Sequence, residues 1–348
     1  MIGSLGFGVI WAAAVWARFP ARVGWMIAAL WWVALVMAHT PLLLPGNPLQ
    51  RLVGGTLEGW LLLGFLAAGV GIYRIFFKRL TGALPGPLQT PDPTAFRPAE
   101  LDRYARHIAL REIGGAGQRR LKEARVLVVG AGGLGSPALM YLAASGVGTL
   151  GVIDADEVEA TNLQRQIIHA DQRIGMQKVF SAEIAIKALN PFVSVRPYNR
   201  RMDETNAAAL VADYDLILDG SDNFDTRYLV NRVCAEAGKP LISAAITQWE
   251  GQISLYHPAT GTPCYACVFP LRPAPGMVPT CAEAGVAAPL PGVIGSMMAM
   301  ETVKYLTGAG ETLAGRLVIH DALYGETRVI RIDRRADCAV CGGPRRVG

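Results

Sequence analysis

A mostly parallel α/β domain preceded by membrane-spanning helices is what three features of this chain predict. Apolar residues crowd the first 80 positions, a glycine-rich turn sits between two short apolar runs near residue 130, and two Cys-x-x-Cys pairs lie far apart in the last third. Of the 348 residues 51% are hydrophobic and only 18% charged, against about a quarter charged in ordinary soluble domains. That composition excludes a disordered chain. Residues 1–80 hold six basic groups and one acid, so the net +5 of the whole chain resides in that segment and the remainder is neutral. Basic groups flanking apolar runs do not form a patch on a folded face, so no nucleic-acid partner is expected.

The apolar runs come first in the chain. Residues 1–17, 23–45 and 52–77 are expected as three transmembrane helices within a membrane region 1–79. A span needs roughly 20 apolar residues, so the second and third suffice and the first is short. A cleaved signal peptide is the other reading of the first run, but it lacks a positive amino-terminal region and apolar segments continue after it. Arg18 and Arg22 mark an inside hairpin, Arg51 a weaker outside loop, and Arg74, Lys78 and Arg79 an inside exit. The rest of the chain is then cytoplasmic, anchored in a multi-pass membrane protein of a bacterial inner-membrane type. Trp31 and Trp32 fall in mid-span, where an interfacial role does not suit them.

Residues 80–98 carry five prolines and read as a stiff linker. The domain 99–348 opens on a helix with Leu101, Tyr104 and Ile108 on one face. Arg125–Val129 is a continuous apolar run of the buried parallel-strand kind, and it leads into Gly130, Gly132, Gly133 and Gly135 and a small-residue helix. A second strand from Thr149 ends at Asp154. This strand–turn–helix–strand–Asp order is Rossmann-like. The glycines permit a tight turn against a phosphate at a helix amino terminus, and the acid can take ribose hydroxyls.

Arg165 and Lys178 follow that acid closely, and fixed positive charge near a nucleotide site suits a triphosphate. A further strand ends in Asp219-Gly-Ser-Asp222-Asn223, where an acid over the crevice is placed to hold Mg²⁺ through oxygen. Each basic residue taken singly reads better as a solvated surface charge; their concentration after the ribose-type acid is what favours the phosphate role.

Cys264, Cys267, Cys338 and Cys341 form two pairs with a two-residue gap, the pattern of a closed tetrahedral Zn²⁺ site of structural type. A cytoplasmic setting disfavours disulfides, and a redox motif lacks its context. Cys234, in an apolar helical pattern, reads as a buried small hydrophobe. Cys281, in a Pro- and Gly-rich stretch, is either an inert loop thiol or a nucleophile able to reach an activated acyl group.

The segments RYARHIAL, GAGGLGSP, DADEVEATNLQRQ, GMQK, GSDNFDTR, EGQISLY, CYAC, TCAEAGV and CAVC occur in this order over residues 101–343. Together they resemble the MoeB/ThiF/HesA adenylyltransferases, relatives of ubiquitin-activating enzymes, with MoeB the nearest in pattern. The resemblance implies ATP-dependent adenylation of the terminal Gly-Gly carboxylate of a ubiquitin-like sulfur-carrier protein, releasing pyrophosphate, on the way to molybdopterin or related products. It implies that Gly133 and its neighbours lie against the nucleotide, that Asp154 holds the ribose, and that Asn162, Arg165 and Lys178 contact phosphates. Asp222 would bind Mg²⁺ with Asn223 beside it, and Arg106 would reach into the partner's site of a homodimer. The four paired cysteines match zinc ligands, and Cys281 matches a crossover-loop cysteine.

Attack on an α-phosphate needs charge neutralisation more than acid–base chemistry, and none of the five histidines reads as catalytic. The chain ends seven residues after Cys341, so sulfur is expected from a separate donor protein. An NAD-dependent oxidoreductase on the same fingerprint and a non-catalytic docking scaffold remain alternatives.

Overall fold

The computed structural model describes residues 2–16, 21–40, 52–82, 95–274 and 284–343. They belong to two compact units, Met1–Asp92 and Pro93–Gly348.

The first unit contains α1 (Ile2–Trp16), α2 (Ala21–Ala38) and α3 (Leu57–Gly82). Their bounds differ from those expected. α2 stops at Ala38 instead of near 45, because Thr40 precedes a proline and the residue before proline is pushed out of helical geometry. α3 starts at Leu57 instead of 52, because Gly54 and Gly55 turn the chain with φ of +71° and +90°. It then runs to Gly82, past the boundary expected at 79. Among the described residues only Leu57–Phe77 is long and apolar enough to cross a membrane; Val23–Ala38 is apolar but shorter, and α1 has 15 residues. Residues 83–94, most of the expected linker, lie outside the described residues, and Pro98 is already helical.

Packing explains the two mid-helix tryptophans. Trp31 donates its indole N–H to the Gly3 carbonyl at 3.1 Å, and Trp32 to the Trp60 carbonyl at 2.7 Å. Their rings fill space that a Cβ on Gly6 or Gly64 would occupy, at 2.5 and 2.2 Å. Small residues at these positions let the helices and the large rings approach closely. Trp31 and Trp32 are therefore packing residues.

The second unit is built on one eight-stranded sheet in the order β3-β2-β1-β4-β5-β6-β7-β8. Its strands are β1 (Arg125–Val129), β2 (Thr149–Asp154), β3 (Ser194–Asn199), β4 (Leu216–Asp219), β5 (Leu241–Ile246), β6 (Glu250–Tyr256), β7 (Arg316–Asp321) and β8 (Glu326–Arg331). Pairing is parallel from β3 through β5 and antiparallel from β5 through β8. The antiparallel half is not foreshadowed by any sequence pattern.

Its helices are α4 (Pro98–Ile108), α5 (Gly114–Glu123), α6 (Gly135–Ser145), α7 (Lys178–Leu189), α8 (Ala207–Ala212), α9 (Phe224–Ala237), α10 (Tyr265–Val268) and α11 (Pro289–Thr307). Successive strand residues face opposite sides. Val126, Val128, Leu150 and Val152 accordingly pack under α6, α7 and α11, while Leu127, Val129 and Ile217 pack under α8 and α9. On α4 Tyr104 of the expected face is buried and Ile108 half-buried, but Leu101 is exposed and Glu100 takes the inward place beside it. The buried Glu100 carboxylate is matched by Lys122 at 2.8 Å.

Candidate functional site

The strand order reverses between β1 and β4, since β1 pairs with β2 on one side and β4 on the other. In doubly wound sheets ligands enter the crevice at the carboxyl ends of strands at such a point. Here Gly130 leaves β1 with φ +93°, a conformation costly for any residue with a Cβ. A Cβ on Gly135 would lie 1.9 Å from the Gly130 carbonyl. The turn is that tight, and it delivers the amino terminus of α6 to the crevice.

Asp154, at the end of β2, accepts from the Ala131 N–H at 2.8 Å and from the Asp156 N–H at 2.8 Å. Burial pushes its carboxyl pKa up, and the nearby Lys178 ammonium opposes that rise. Lys178 opens α7, is itself buried, and pairs with Asp156 at 2.9 Å. Arg165 donates to the Asn162 side-chain carbonyl at 2.8 Å. Its Cδ stands 3.8 Å from where a Cβ on Gly133 would be. Gly132 in turn lies beside the buried Gln166 amide. The structure thus brings Gly130, Gly132, Gly133, Gly135, Asp154, Asn162, Arg165 and Lys178 together around one strand-end loop, with two cations at hand.

The end of β4 completes the crevice. Asp219 is wholly buried and accepts from the Ser221 N–H and hydroxyl at 3.0 and 2.6 Å and from Ser243 at 2.8 Å. Arg227 on α9, also buried, approaches Asp219 at 3.7 Å and donates to the Ser221 carbonyl at 2.6 Å. This buried pair fixes the turn that presents the next residue, Asp222. Asp222 is exposed and has no partner among the described residues. Asn223 caps α9 by accepting from the Thr226 N–H at 2.9 Å, so its side chain already has a structural task. The roles of Asp219 and Arg227 escape sequence reasoning because only the long-range fold buries them.

Arg106 stands apart, exposed on α4. That helix is held by Tyr104, whose hydroxyl accepts from Asn190 at 2.7 Å, and by His107 against Gln118 at 2.9 Å. Cys281 lies outside the described residues. Cys234 is buried in α9, and burial pushes its thiol pKa up, which leaves it an inert apolar filler.

The sulfurs of Cys264, Cys267, Cys338 and Cys341 all lie within 4.8 Å of one another. Individual separations are 3.9, 3.6 and 3.4 Å. A disulfide needs about 2.05 Å, whereas the edge of a ZnS₄ tetrahedron with 2.3 Å bonds is about 3.8 Å. The donor set and spacing fit a closed four-thiolate metal site. Tyr265, between the two thiols of the first pair, stacks edge-on with Tyr228 and Tyr256 and lies 5.8 Å from the Arg227 guanidinium carbon. The cysteine knot is therefore joined physically to the β4 turn.

The chain is similar to known proteins over most of the second unit. The family model described as the ThiF family matches residues 104–340. The chain is 49% identical over 247 residues to the sulfur carrier protein adenylyltransferase of Thermus thermophilus, covering 70% of this chain and 91% of that one. It is 49% identical over 243 residues to the SAMP-activating enzyme E1 of Haloferax volcanii, covering 70% and 89%. A crystal structure of E. coli MccB superposes with a TM-score of 0.62 at 24% identity, over 69% of this chain and 75% of that one, a likeness of fold. Residues 1–98 lie outside the matched family region. Over the remainder, the chain belongs to the ThiF family.

Proposed function

We propose that this protein adenylates the carboxyl-terminal Gly-Gly carboxylate of a ubiquitin-like sulfur-carrier protein. A carboxylate oxygen attacks the α-phosphorus of ATP, a P–O bond forms as the bond to the bridging oxygen breaks, and pyrophosphate leaves. The observation that carries the reading is the convergence of Arg165, Lys178 and the glycine turn on one crevice, in a chain 49% identical over 247 residues to a named sulfur carrier protein adenylyltransferase. Two fixed cations stabilise charge that develops on phosphate and have no part in hydride transfer. The acyl-adenylate is then open to attack by a sulfur donor. Purified full-length protein should catalyse ATP–pyrophosphate exchange with one Gly-Gly carrier of its own cell; no exchange with any such carrier would overturn the reading.

Mg²⁺ is assigned to Asp222, an exposed carboxylate at the crevice mouth, and supplies charge neutralisation there. Zn²⁺ is assigned to the four cysteines as a structural ion.

A homodimer is supported by an apolar outer face. Tyr141 of α6, Phe180 and Ile184 of α7, and Val293 and Met300 of α11 are exposed on helices that pack together over one side of the sheet. If Arg106 reaches the partner's site, mixing inactive Arg106→Ala and Asp222→Ala subunits leaves one intact site per heterodimer. Roughly half the activity per heterodimer should then return. A dead mixture after proven subunit exchange would place Arg106 in its own chain's service.

Anchoring in a membrane is supported by α3, which is largely apolar over Leu57–Phe77, with Arg74 near the end of that stretch and Lys78 and Arg79 directly after it. A basic flank favours the cytoplasmic side, where ATP is made available to the second unit. A reporter fused after Gly82 should behave as cytoplasmic; an external signal would reverse the topology.

A further inference from the structure

His169 carries no sequence signal, yet it joins three parts of the crevice: the glycine turn at Ala131, the segment bearing Asn162 and Arg165, and the first turn of α7 at Ser181. Its Nε2 lies 2.9 Å from the Ala131 carbonyl oxygen and its Nδ1 lies 2.8 Å from the Ser181 hydroxyl, with the residue 7% exposed. A carbonyl only accepts, so Nε2 carries the proton and Nδ1 accepts from Ser181. Burial, with Lys178 and Arg173 as neighbouring charges, holds the imidazole pKa down at about 4, so the neutral ring with one donor and one acceptor persists at physiological pH.

The consequence comes from peptide planarity. The Ala131 N–H is held by Asp154 and the Ala131 carbonyl by His169, so both peptide planes flanking Ala131 are fixed. No peptide bond in the described chain is cis. In a trans peptide the carbonyl and the next N–H point opposite ways. Holding the Ala131 carbonyl against His169 therefore turns the Gly132 N–H away from the imidazole.

His169 also closes the segment bearing Asn162 and Arg165, and Ser181 lies one turn beyond Lys178 on α7. Arg173 reinforces the joint by donating to the Ser181 and Ile168 carbonyls. One ring thus sets the register of a backbone donor and two cations relative to one another.

We propose that His169 is a positioning residue for nucleotide binding, aiming the Gly132 N–H and holding the Arg165 and Lys178 segments at one triphosphate. This rests on the adenylation reading, but it can be tested apart from turnover. ATP binding is measured by calorimetry on the full-length protein without any carrier, and KM values are measured in exchange assays. His169→Met keeps the volume and removes both bonds; its ATP dissociation constant and KM for ATP should rise on the order of tenfold, the effect of one misaligned donor. The KM for carrier should not move.

His169→Gln, which can still donate to the Ala131 carbonyl, should recover most of the affinity. Ser181→Ala, which removes the bond to Nδ1 and leaves the ring held only at Nε2 by the Ala131 carbonyl, should show a smaller loss in the same direction and tests the idea if His169→Met does not fold. A merely structural role would lower the melting temperature without a selective rise in KM for ATP. Wild-type ATP affinity in a folded His169→Met or Ser181→Ala protein would overturn the proposal, as would wild-type protein that does not bind ATP. ATP binding that responds to these substitutions, without exchange on any carrier, would instead overturn the adenylation reading alone.

Discussion

Replacing Lys178 with Met is expected to lower ATP–pyrophosphate exchange by about 10²–10³-fold, the usual loss when one preorganised charge is taken from a phosphoryl-type transition state. The fold should tolerate the change. The ion partner of Lys178, Asp156, is 59% exposed in its side chain, so it returns to water instead of being left as a buried unpaired charge. Methionine fills the channel the lysine stem occupied. A thermal melt within a few degrees of wild type, together with the kinetic loss, assigns the effect to the site.

There is a pH signature as well. Lys178 holds down a carboxyl pKa, that of Asp154, which burial pushes up. Without the lysine that pKa rises further, so the acidic limb of the nucleotide-binding profile should move to higher pH. Exchange at wild-type rate would remove Lys178 from the mechanism.

The second large effect is on stability. Cys338→Ser should release about one equivalent of zinc, because a closed site with three thiolates loses its fourth ligand. Binding free energy at such sites is about 10–16 kcal/mol in zinc-finger peptides and is also folding energy, so the melting temperature should fall by more than about 10 °C. Metal analysis and calorimetry check both numbers. Unchanged zinc content would sink the assignment. Tyr265 lies between the first two cysteines and against Arg227, which holds Asp219 and Ser221. Loss of the knot should therefore also weaken the turn carrying Asp222, and adenylation should fall in step with metal content.

Much of the nucleotide half is legible in the amino-acid sequence, because its signals are local. The run Arg125–Val129 forms β1 as its pattern predicts, the glycine turn follows it, and β2 ends on Asp154. A buried parallel strand is a continuous apolar run, and a turn with positive φ needs glycine. Both rules act within a few residues. The four cysteines are legible for a similar reason, since each two-residue gap is a local ligand turn, although their approach across some seventy residues is a property of the fold.

Tertiary structure alone decided the rest. His169 meets Ala131 across 38 residues of chain, and a single histidine in an irregular segment has no periodicity to mark it. Asp219 and Arg227 look like two charges near a strand end until the sheet buries both. Trp31 and Trp32 fit no interfacial position, and only Gly6 and Gly64 on neighbouring helices make room for them. The antiparallel strands β6 to β8 depend on partners rather than on their own pattern, and β8 is exposed on both faces. Periodicity and turn chemistry act over a few residues, so they can be read along the chain. A buried hydrogen bond is worth its energy only where the fold removes water, and that is set by topology.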